Sequence, residues 1–398
     1  MSRIAELIAK LCPNGIEYVK LGDVCTITKG KTPIQKAIPG EYPLVVTTSE
    51  RKSCNTYQFD KSAVCIPLVS SRGHGVASLN HVYFQSGKFA LGNILCAVIP
   101  NDENVLSANF LFHYLEYKKD TLLVPLMKGG ANVSLHIYDI QRVKIPLPPL
   151  DVQLETIEIL DKFVELSEML TKELSIRKKQ YEYYRDFLLD FDVHEGGTNE
   201  CEWRTIKEIF DIRNGYTPSK SNVEYWENGI IPWFRMDDIR ENGRILSNSI
   251  QHIARKGVKK SGIFPANSLI MSTTATIGEH ALIKTNFVCN QQITCFSLKQ
   301  EYSSKINIKF VFYLFFNFGE WCRNNVNNGG GLPIINTAKL STYKIPIPTI
   351  EKQKRIVSIL DRFDKLCNDI SEGLPAEIEA RRKQYEYYRD KLLSFKEQ

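Results

Sequence analysis

No apolar run in this 398-residue chain reaches the ~18 residues that a membrane-spanning helix needs, so no such helix is expected. The densest stretch, FVFYLFFNF at 310–318, is too short, and its aromatics suit a buried strand or core helix. The opening MSRIAELIAKLCPNG has neither a long apolar segment nor a small-residue cleavage site, so it does not read as a signal peptide, and a cytoplasmic protein is the expectation. The 10 cysteines form no C-x-x-C. Their closest pair, Cys289 and Cys295, has no histidine at metal-ligand spacing, so free thiols in a reducing compartment are expected and no metal.

Nucleotide and catalytic signatures are missing too. No G-x-x-x-x-G-K-[ST] loop and no G-x-G-x-x-G occurs, which excludes the common phosphate-cradling folds. The glycine run NNGGGLP (327–333) leads into no helix-forming stretch and reads as a turn or loop. PLPPL is not the Asn-Pro-Pro-aromatic loop with which amino-methylating enzymes hold a base. The 7 histidines form no pair at metal spacing, and the adjacent carboxylates Asp237 and Asp238 point in different directions on most backbones. No catalytic centre and no cofactor site is legible.

Duplication is what the sequence does contain. RKKQYEYYRD (177–186) returns as RRKQYEYYRD (381–390). LGDVCTITKGKTP (21–33) matches IKEIFDIRNGYTP (206–218) in apolar spacing, both ending Gly-x-Thr-Pro. GGANVSLHIYDIQRVKIPLPPL (129–150) matches GGGLPIINTAKLSTYKIPIPTI (329–350), and ILDKF (159–163) matches ILDRF (359–363). The chain is one plan written twice: recognition-type domains over 1–150 and 193–350, each followed by a helical segment, 151–192 and 351–398.

YPLVV, AVCIPLV, ILCAVIP, SLIMS, FVCN and ITCFSL read as strands. ANFLFHYLEYKK (108–119) and NIKFVFYLFFNF (307–318) read as one helix per domain. The fold class is therefore mixed α/β, or α+β, with two similar domains carried on long helices. Closely spaced prolines in each IP-x-P stretch favour extended backbone that cannot continue a ladder, and so close each domain. From about 152 to 191 there is neither proline nor glycine, which predicts one rod of roughly 60 Å at ~1.5 Å per residue. In the second copy Gly373 and Pro375 predict a break, with Pro375 near the first helical position. Thr349 is the expected N-cap of the helix before it. Tyr181, Tyr184, Leu188 and Phe191, and likewise Tyr385, Tyr388, Leu392 and Phe395, step by three and four along a packing seam.

LCPNGIEYVKLGDV, KIPLPPLDVQLETIEILDKF, RKKQYEYYRDFLL, IPWFRMDDI, TATIGEHAL and GLPAEIEARRKQYEYYRDKLLSF together resemble the specificity subunit of type I restriction–modification systems, over nearly the whole chain. The resemblance implies two target-recognition domains joined by long antiparallel, coiled-coil-like helices and related by pseudo-twofold symmetry, each reading half of a bipartite asymmetric site in double-stranded DNA. It further implies a prokaryotic, non-catalytic subunit that docks two modification (methyltransferase) subunits through its helices and is joined by restriction (endonuclease and translocase) subunits. S-adenosylmethionine, ATP and Mg would be used by those partners; this chain would need no cofactor and no membrane. Repetition of the motif would present one docking face twice, through Lys179, Gln180, Tyr181, Tyr184 and Arg185, and through Lys383, Gln384, Tyr385, Tyr388 and Arg389. The bland alternative for the tyrosines is packing alone, and for the charges Arg177, Lys178, Lys179 and Arg185 a solvated face.

For DNA contact, Arg and Lys suit guanine edges or phosphates, and Asn and Gln suit adenine. In the first domain the candidates are Lys29, Lys31 and Thr32, Arg72 and His74, and Lys128. In the second they are Arg213, Asn214 and Tyr216, Arg235, Thr274 and Thr276, Gln291 and Gln292, and Arg323. The net charge of +6 is compatible with DNA without requiring it. Rival readings are a DNA-binding regulator that acts alone, a coiled-coil scaffold without a nucleic-acid role, and an enzyme with its own site.

Overall fold

The computed structural model describes residues 3–72, 75–191, 201–260, 262–326, 333–369 and 371–397. The chain divides into two compact units, Met1–Lys172 with Glu377–Gln398, and Glu173–Ala376. Both mix helix and sheet.

In the first unit, strands Cys25–Lys29, Leu95–Pro100, Ala63–Pro67 and Tyr83–Gln85 form one antiparallel sheet in that order. A second sheet runs Lys52–Cys54, Tyr42–Val45, Lys88–Leu91 and Phe59–Asp60, with its central pair parallel. The first sheet is apolar on successive residues because both its faces are covered: Ala63–Pro67 is buried throughout. One face packs on helix Ala108–Leu122, whose Phe110, Leu111, Tyr114 and Leu115 join Val64, Ile66, Cys96 and Val98 in a common core. The other face carries Cys65, Ala97 and Leu95 against Phe89 and Leu91 of the second sheet.

The second unit repeats this plan. Its larger sheet orders Phe210–Asn214, Ile293–Leu298, Ser268–Ser272, His280–Ile283 and Ile245–Leu246, and a smaller one orders His252–Ile253, Ile231–Phe234 and Val288–Cys289. Helix Ile308–Asn324 covers the larger sheet with Phe310, Val311, Phe315 and Phe318. FVFYLFFNF is thus a core helix.

The expected strands and domain helices are all present. The IP-x-P stretches differ from expectation. Lys144–Pro146 pairs with Tyr18–Lys20, and Lys344–Pro348 pairs with Cys201–Thr205. The prolines do stand in ladders, because each ladder has only two strands and every strand is an edge. The rod is one helix, Leu150–Leu189. In the second copy helix Ile350–Asn368 ends before Gly373 and a new helix, Leu374–Leu392, begins with Pro375 in its first turn. Thr349 caps the former by accepting from Lys352 N.

The repeats regroup in space. Leu392 and Leu393, at the end of the second repeat, lie in the core of the first unit beside Leu160. Tyr181, Leu189 and Phe191, at the end of the first repeat, lie in the core of the second unit with Ile356, Leu360 and Cys367. Within the second unit Phe363 meets Tyr181 and Tyr184, whereas Cys367 senses Arg177 and Lys178. The two helices are therefore antiparallel there. All 10 cysteines are free thiols; burial pushes Cys25, Cys96, Cys295 and Cys322 up to about 12. No helix among the described residues is long and apolar enough to cross a membrane.

Candidate nucleic-acid interface

Each Gly-x-Thr-Pro loop starts where its first core strand ends, at a glycine that must be a glycine. A Cβ on Gly30 would stand 2.2 Å from the carbonyl oxygen of Gly92, and one on Gly215 2.2 Å from that of Cys289. This close approach pins the loop to the crossing of the two sheets: Thr32 N donates to Leu91 O (3.1 Å) and Tyr216 N to Cys289 O (2.7 Å).

Beyond that crossing the second unit has a cleft of about 420 Å³, walled by Thr217, Lys220, Arg235, Asp237, Arg240, Thr274–Thr276 and Asn290–Gln292. Its shape depends on Asp238, which is fully buried. The Asp238 carboxylate accepts from Arg235 N (2.7 Å) and Ile250 N (2.6 Å), which fixes the start of helix Met236–Asn242. Asp237, one residue earlier, points elsewhere and lies 3.5 Å from the Arg235 guanidinium. Arg235 also stands over Trp233, 5.7 Å from its ring centroid. Across the cleft Ala275 has φ of 59°, a left-handed conformation costly for a side-chain-bearing residue. The Ser272 hydroxyl holds that turn by donating to Thr274 O (2.7 Å). Among the described residues the Thr274 hydroxyl and the Arg235 Nε are buried without a hydrogen-bond partner. Thr217 donates to the Gln291 side chain. The result is a concave wall with one stacked guanidinium, three amides and three hydroxyls, the donor and acceptor set that reads base edges and phosphates.

The first unit holds a smaller cleft, about 230 Å³, that shares with it the segment after the Ala63–Pro67 strand and is lined by Thr47, Ser70, Ser71, Asn80, His81 and Tyr83. Among the described residues no lysine or arginine lines it. His81 is tied to Glu116 (3.1 Å), and the Ser70 hydroxyl donates to Val76 O (2.5 Å). Arg72 is exposed at the rim, its N–H donating to the Ser70 hydroxyl (3.2 Å). Lys128 pairs in backbone with Ser134, which also bridges Val69, so Lys128 flanks the same rim, its ammonium 3.6 Å from Asp139.

The structure thus brings Arg235, Thr274, Thr276, Gln291 and Gln292 together, and puts Arg72 and Lys128 on segments that flank the rim of the other cleft. His74 lies outside the described residues. Lys29 and Lys31 are exposed on a loop braced by Gln58, which accepts from Lys31 N and donates to Lys29 O (2.9 Å each); Thr32 is half-buried beside them. Four candidates of the second unit stand apart from the cleft. Tyr216 is a correction: it is only 8% exposed, its hydroxyl accepts from Lys259 N and its carbonyl from the Trp233 indole, so it positions the loop from below. Arg213 lies over Phe264 (4.5 Å), Asn214 accepts from the Thr294 hydroxyl (2.8 Å), and Arg323 is exposed near the end of helix Ile308–Asn324, off the cleft wall. Reading from sequence missed Thr217, Lys220, Asp237 and Arg240 and, in the first unit, Thr47, Asn80 and His81. Lys220 had a usable signal, two residues beyond the Gly-x-Thr-Pro loop.

The repeated helices need a second correction. Tyr181 is buried at 6% exposure. Arg185 lies over Phe316 (4.6 Å) and Arg389 over Tyr117 (4.8 Å), each on an aromatic of its own unit. Tyr184 stacks on Phe363 and Tyr388 on Phe163, with ring centroids 5.6 and 5.3 Å apart, while both keep exposed edges. Tyr385 and Gln180 are half-buried; Lys179, Lys383 and Gln384 are exposed. Within the repeated ten-residue motif the most exposed aromatic rings are Tyr183 and Tyr387, at 64% and 61% exposure. They sit off the three-four seam, which is why the seam placed them outside.

The family described as the type I restriction modification DNA specificity domain matches residues 13–176 and again 199–380. The chain is 48% identical over 205 residues to the type I restriction enzyme EcoprrI specificity subunit of Escherichia coli, a match covering 50% of this chain and 51% of that relative. It thus spans about half the length of that relative. Over 299 residues it is 40% identical to the EcoR124I/EcoR124II specificity subunit, also of Escherichia coli, covering 72% of this chain and 71% of the other. The crystal structure of a type I restriction–modification system S subunit from M. genitalium shares the fold, with a TM-score of 0.60 at 14% identity over 96% of this chain and 97% of that one.

Proposed function

Because the chain belongs to the DNA specificity subunits of type I restriction–modification systems, we propose that its two domains each read one half of a bipartite, asymmetric target in double-stranded DNA. The observation that carries this reading is one such cleft per unit, the two sharing the segment that follows Ala63–Pro67 in one and Ser268–Ser272 in the other, whose walls differ. One offers serine, threonine, asparagine and histidine; the other offers arginine, lysine, threonine and glutamine. The shared segment presents both walls to the same kind of ligand, and unequal chemistry makes the two half-sites unequal.

The chain supplies no catalytic group in this reading. Methyl transfer and ATP-driven cleavage, with S-adenosylmethionine, ATP and Mg, belong to partner subunits. Two modification subunits dock on the outward faces of the repeated helices, through Lys179, Tyr184, Lys383, Gln384 and Tyr388 together with Tyr183 and Tyr387, and restriction subunits complete the assembly. The central helix sets the gap between half-sites: deleting Thr171 to Leu174 shortens it by ~6 Å and shortens the unspecified spacer while leaving both half-sites intact.

The test is a genome-wide map of N6-methyladenine with the gene intact and deleted. Loss of one bipartite motif with a fixed spacer is the expected result; an unchanged map in cells that express the modification subunit refutes the reading. Arg235→Ala should then relax a single position of one half-site, costing ~1–3 kcal/mol of discrimination there.

A further inference from the structure

A second cleft, in the unit Glu173–Ala376, belongs to none of the surfaces above. It encloses about 1040 Å³ between the repeated helix (Lys178 to Arg185), the turn Asn242–Ile245, the core helix (Lys309 to Phe316) and the helix residues Asp361 to Asn368. Its inner wall is organised around one ring. The guanidinium of Arg185 lies 4.6 Å from the centroid of Phe316 and that of Arg244 4.9 Å, while His280 meets the same ring edge-on at 4.7 Å.

Two cations on one phenyl ring repel each other, and the attraction of the ring for each, about 0.5–2 kcal/mol, is modest. Arg185 has a carboxylate beside it, Asp186 at 2.8 Å. Arg244 has none within ion-pair distance among the described residues, and its Nη1 is buried without a hydrogen-bond partner. Burial holds its guanidinium below the usual range, only partly offset by Glu279. The Tyr181 hydroxyl, in a residue 94% buried by its 6% exposure, lines the same cleft and is likewise unpartnered. Four carboxylates line the cleft, Glu182, Asp361, Asp364 and Asp369, and Asp369 is engaged by the backbone and hydroxyl of Ser371. Asp361 is engaged by Lys309 (2.7 Å) and by the Tyr313 hydroxyl (2.6 Å), and Asp364 influences Tyr181 from the opposite wall without bonding it. What remains at the inner end is two donors without a partner among the described residues, the Tyr181 hydroxyl and the Nη1 of a guanidinium that Glu279 compensates only in part, an arrangement whose cost a multi-acceptor anion removes.

We propose that this cleft binds a phosphate oxyanion, gripped by Arg244 and Arg185 and hydrogen-bonded by the Tyr181 hydroxyl. It is private to one half of the duplication. In the unit containing Glu377–Gln398 the corresponding Arg389 stacks on Tyr117 and Tyr385. The guanidinium that the stretch between Tyr42–Val45 and Lys52–Cys54 supplies there, Arg51, lies over Tyr83 (5.3 Å) and donates to Phe84 O and to the Gln85 side chain (3.1 Å each), a different ring from the two that carry Arg389. The site therefore departs from the repeat that makes the two domains alike, and it does not depend on how either domain reads DNA.

The experiment is thermal unfolding of the full chain in inorganic phosphate against chloride at equal ionic strength. Phosphate at about tenfold over its dissociation constant should raise the transition by roughly 2–5 °C. Arg244→Gln should abolish that rise while leaving the phosphate-free transition where it was, since it removes a repulsive contact. Tyr181→Phe, which deletes a hydroxyl that bonds nothing in the unliganded protein, should shrink the rise without lowering the starting point. Absence of a phosphate-specific rise in the parent, or a full rise in both variants, overturns the proposal. Titration of duplex DNA against salt identifies the source. A log–log slope about one unit shallower in Arg244→Gln assigns the site to a DNA phosphate, and an unchanged slope assigns it to a small phosphate-bearing ligand.

Discussion

Gln153 and Gln353 are the same residue in the two units and do the same thing. Gln153 accepts from Ser107 N (2.9 Å) and donates to Val105 O (2.8 Å) and Pro148 O (2.7 Å). Gln353 accepts from Asn307 N (2.8 Å) and donates to Lys305 O (2.9 Å) and Pro348 O (2.8 Å). Both are fully buried, and each joins the helix after its domain to the loop before the core helix. Asp161 and Asp361 are also equivalent, yet their partners differ. Asp161 binds His113 (2.8 Å) and Asn109 (3.0 Å), whereas Asp361 binds Tyr313 and Lys309. A contact made to backbone has survived the divergence of the two halves unchanged, because backbone does not mutate. A contact made to side chains has been rewritten, with only its geometry kept.

The comparison can be pressed hardest through acid. His280 is fully buried, and burial, reinforced by Arg244, lowers its pKa from 6.5 to about 3. The folded unit therefore binds fewer protons than the unfolded chain below pH 6.5. Its stability is fully present above that pH and is lost as pH falls toward 3, by on the order of 4 kcal/mol. His113 in the other unit is also lowered by burial, but Asp161 opposes the shift, so the same loss is shallower there. Hydrogen exchange in Ser268–Ser272 and in Ala63–Pro67, followed between pH 7 and pH 4, should show the former strand losing protection first. His280→Gln should remove the difference; equal slopes in the parent would contradict it.

Replacing either latch comes next. Gln153→Leu or Gln353→Leu strands one buried N–H and two carbonyls and should cost about 3 kcal/mol, read as an equal fall in denaturation midpoint of the affected unit. Unequal falls would show that the two latches carry different loads. Gly215→Ala should cost about 2 kcal/mol, since its Cβ meets backbone carbonyls at 2.2 and 2.3 Å that cannot rotate away. The smallest effect is expected from Asp161→Asn, about 1 kcal/mol, because that carboxylate is half-exposed. Exchanging its partner through His113→Tyr should restore part of the loss if the two aspartate sites share one geometry.

Much of the fold was legible because the duplication gave each assignment a second witness. The apolar runs became strands, the stretch free of proline and glycine became one helix, and Gly373 with Pro375 broke the other. The IP-x-P strands were misread because proline's exclusion from ladders holds for central strands, and nothing local says that a ladder will have two strands. The candidate site was half legible. Arg235, Thr274 and Gln292 lie in three separate stretches that only the crossing of two sheets unites, whereas Tyr216 looked like a contact residue until its hydroxyl was found bonded to Lys259 N.

Local chemistry, then, determined the elements: propensity, turn residues and periodicity act over a few positions and are written in order along the chain. It also determined that there are two of everything. Which half owns which helix was a tertiary decision. By sequence RKKQYEYYRD at 177–186 follows the first domain, yet its Tyr181 is buried in the second; RRKQYEYYRD at 381–390 follows the second domain, yet Leu392 and Leu393 just beyond it are buried in the first. The apolar seam of each helix goes to whichever core can cover it, and that choice depends on surfaces brought together only when the chain has folded.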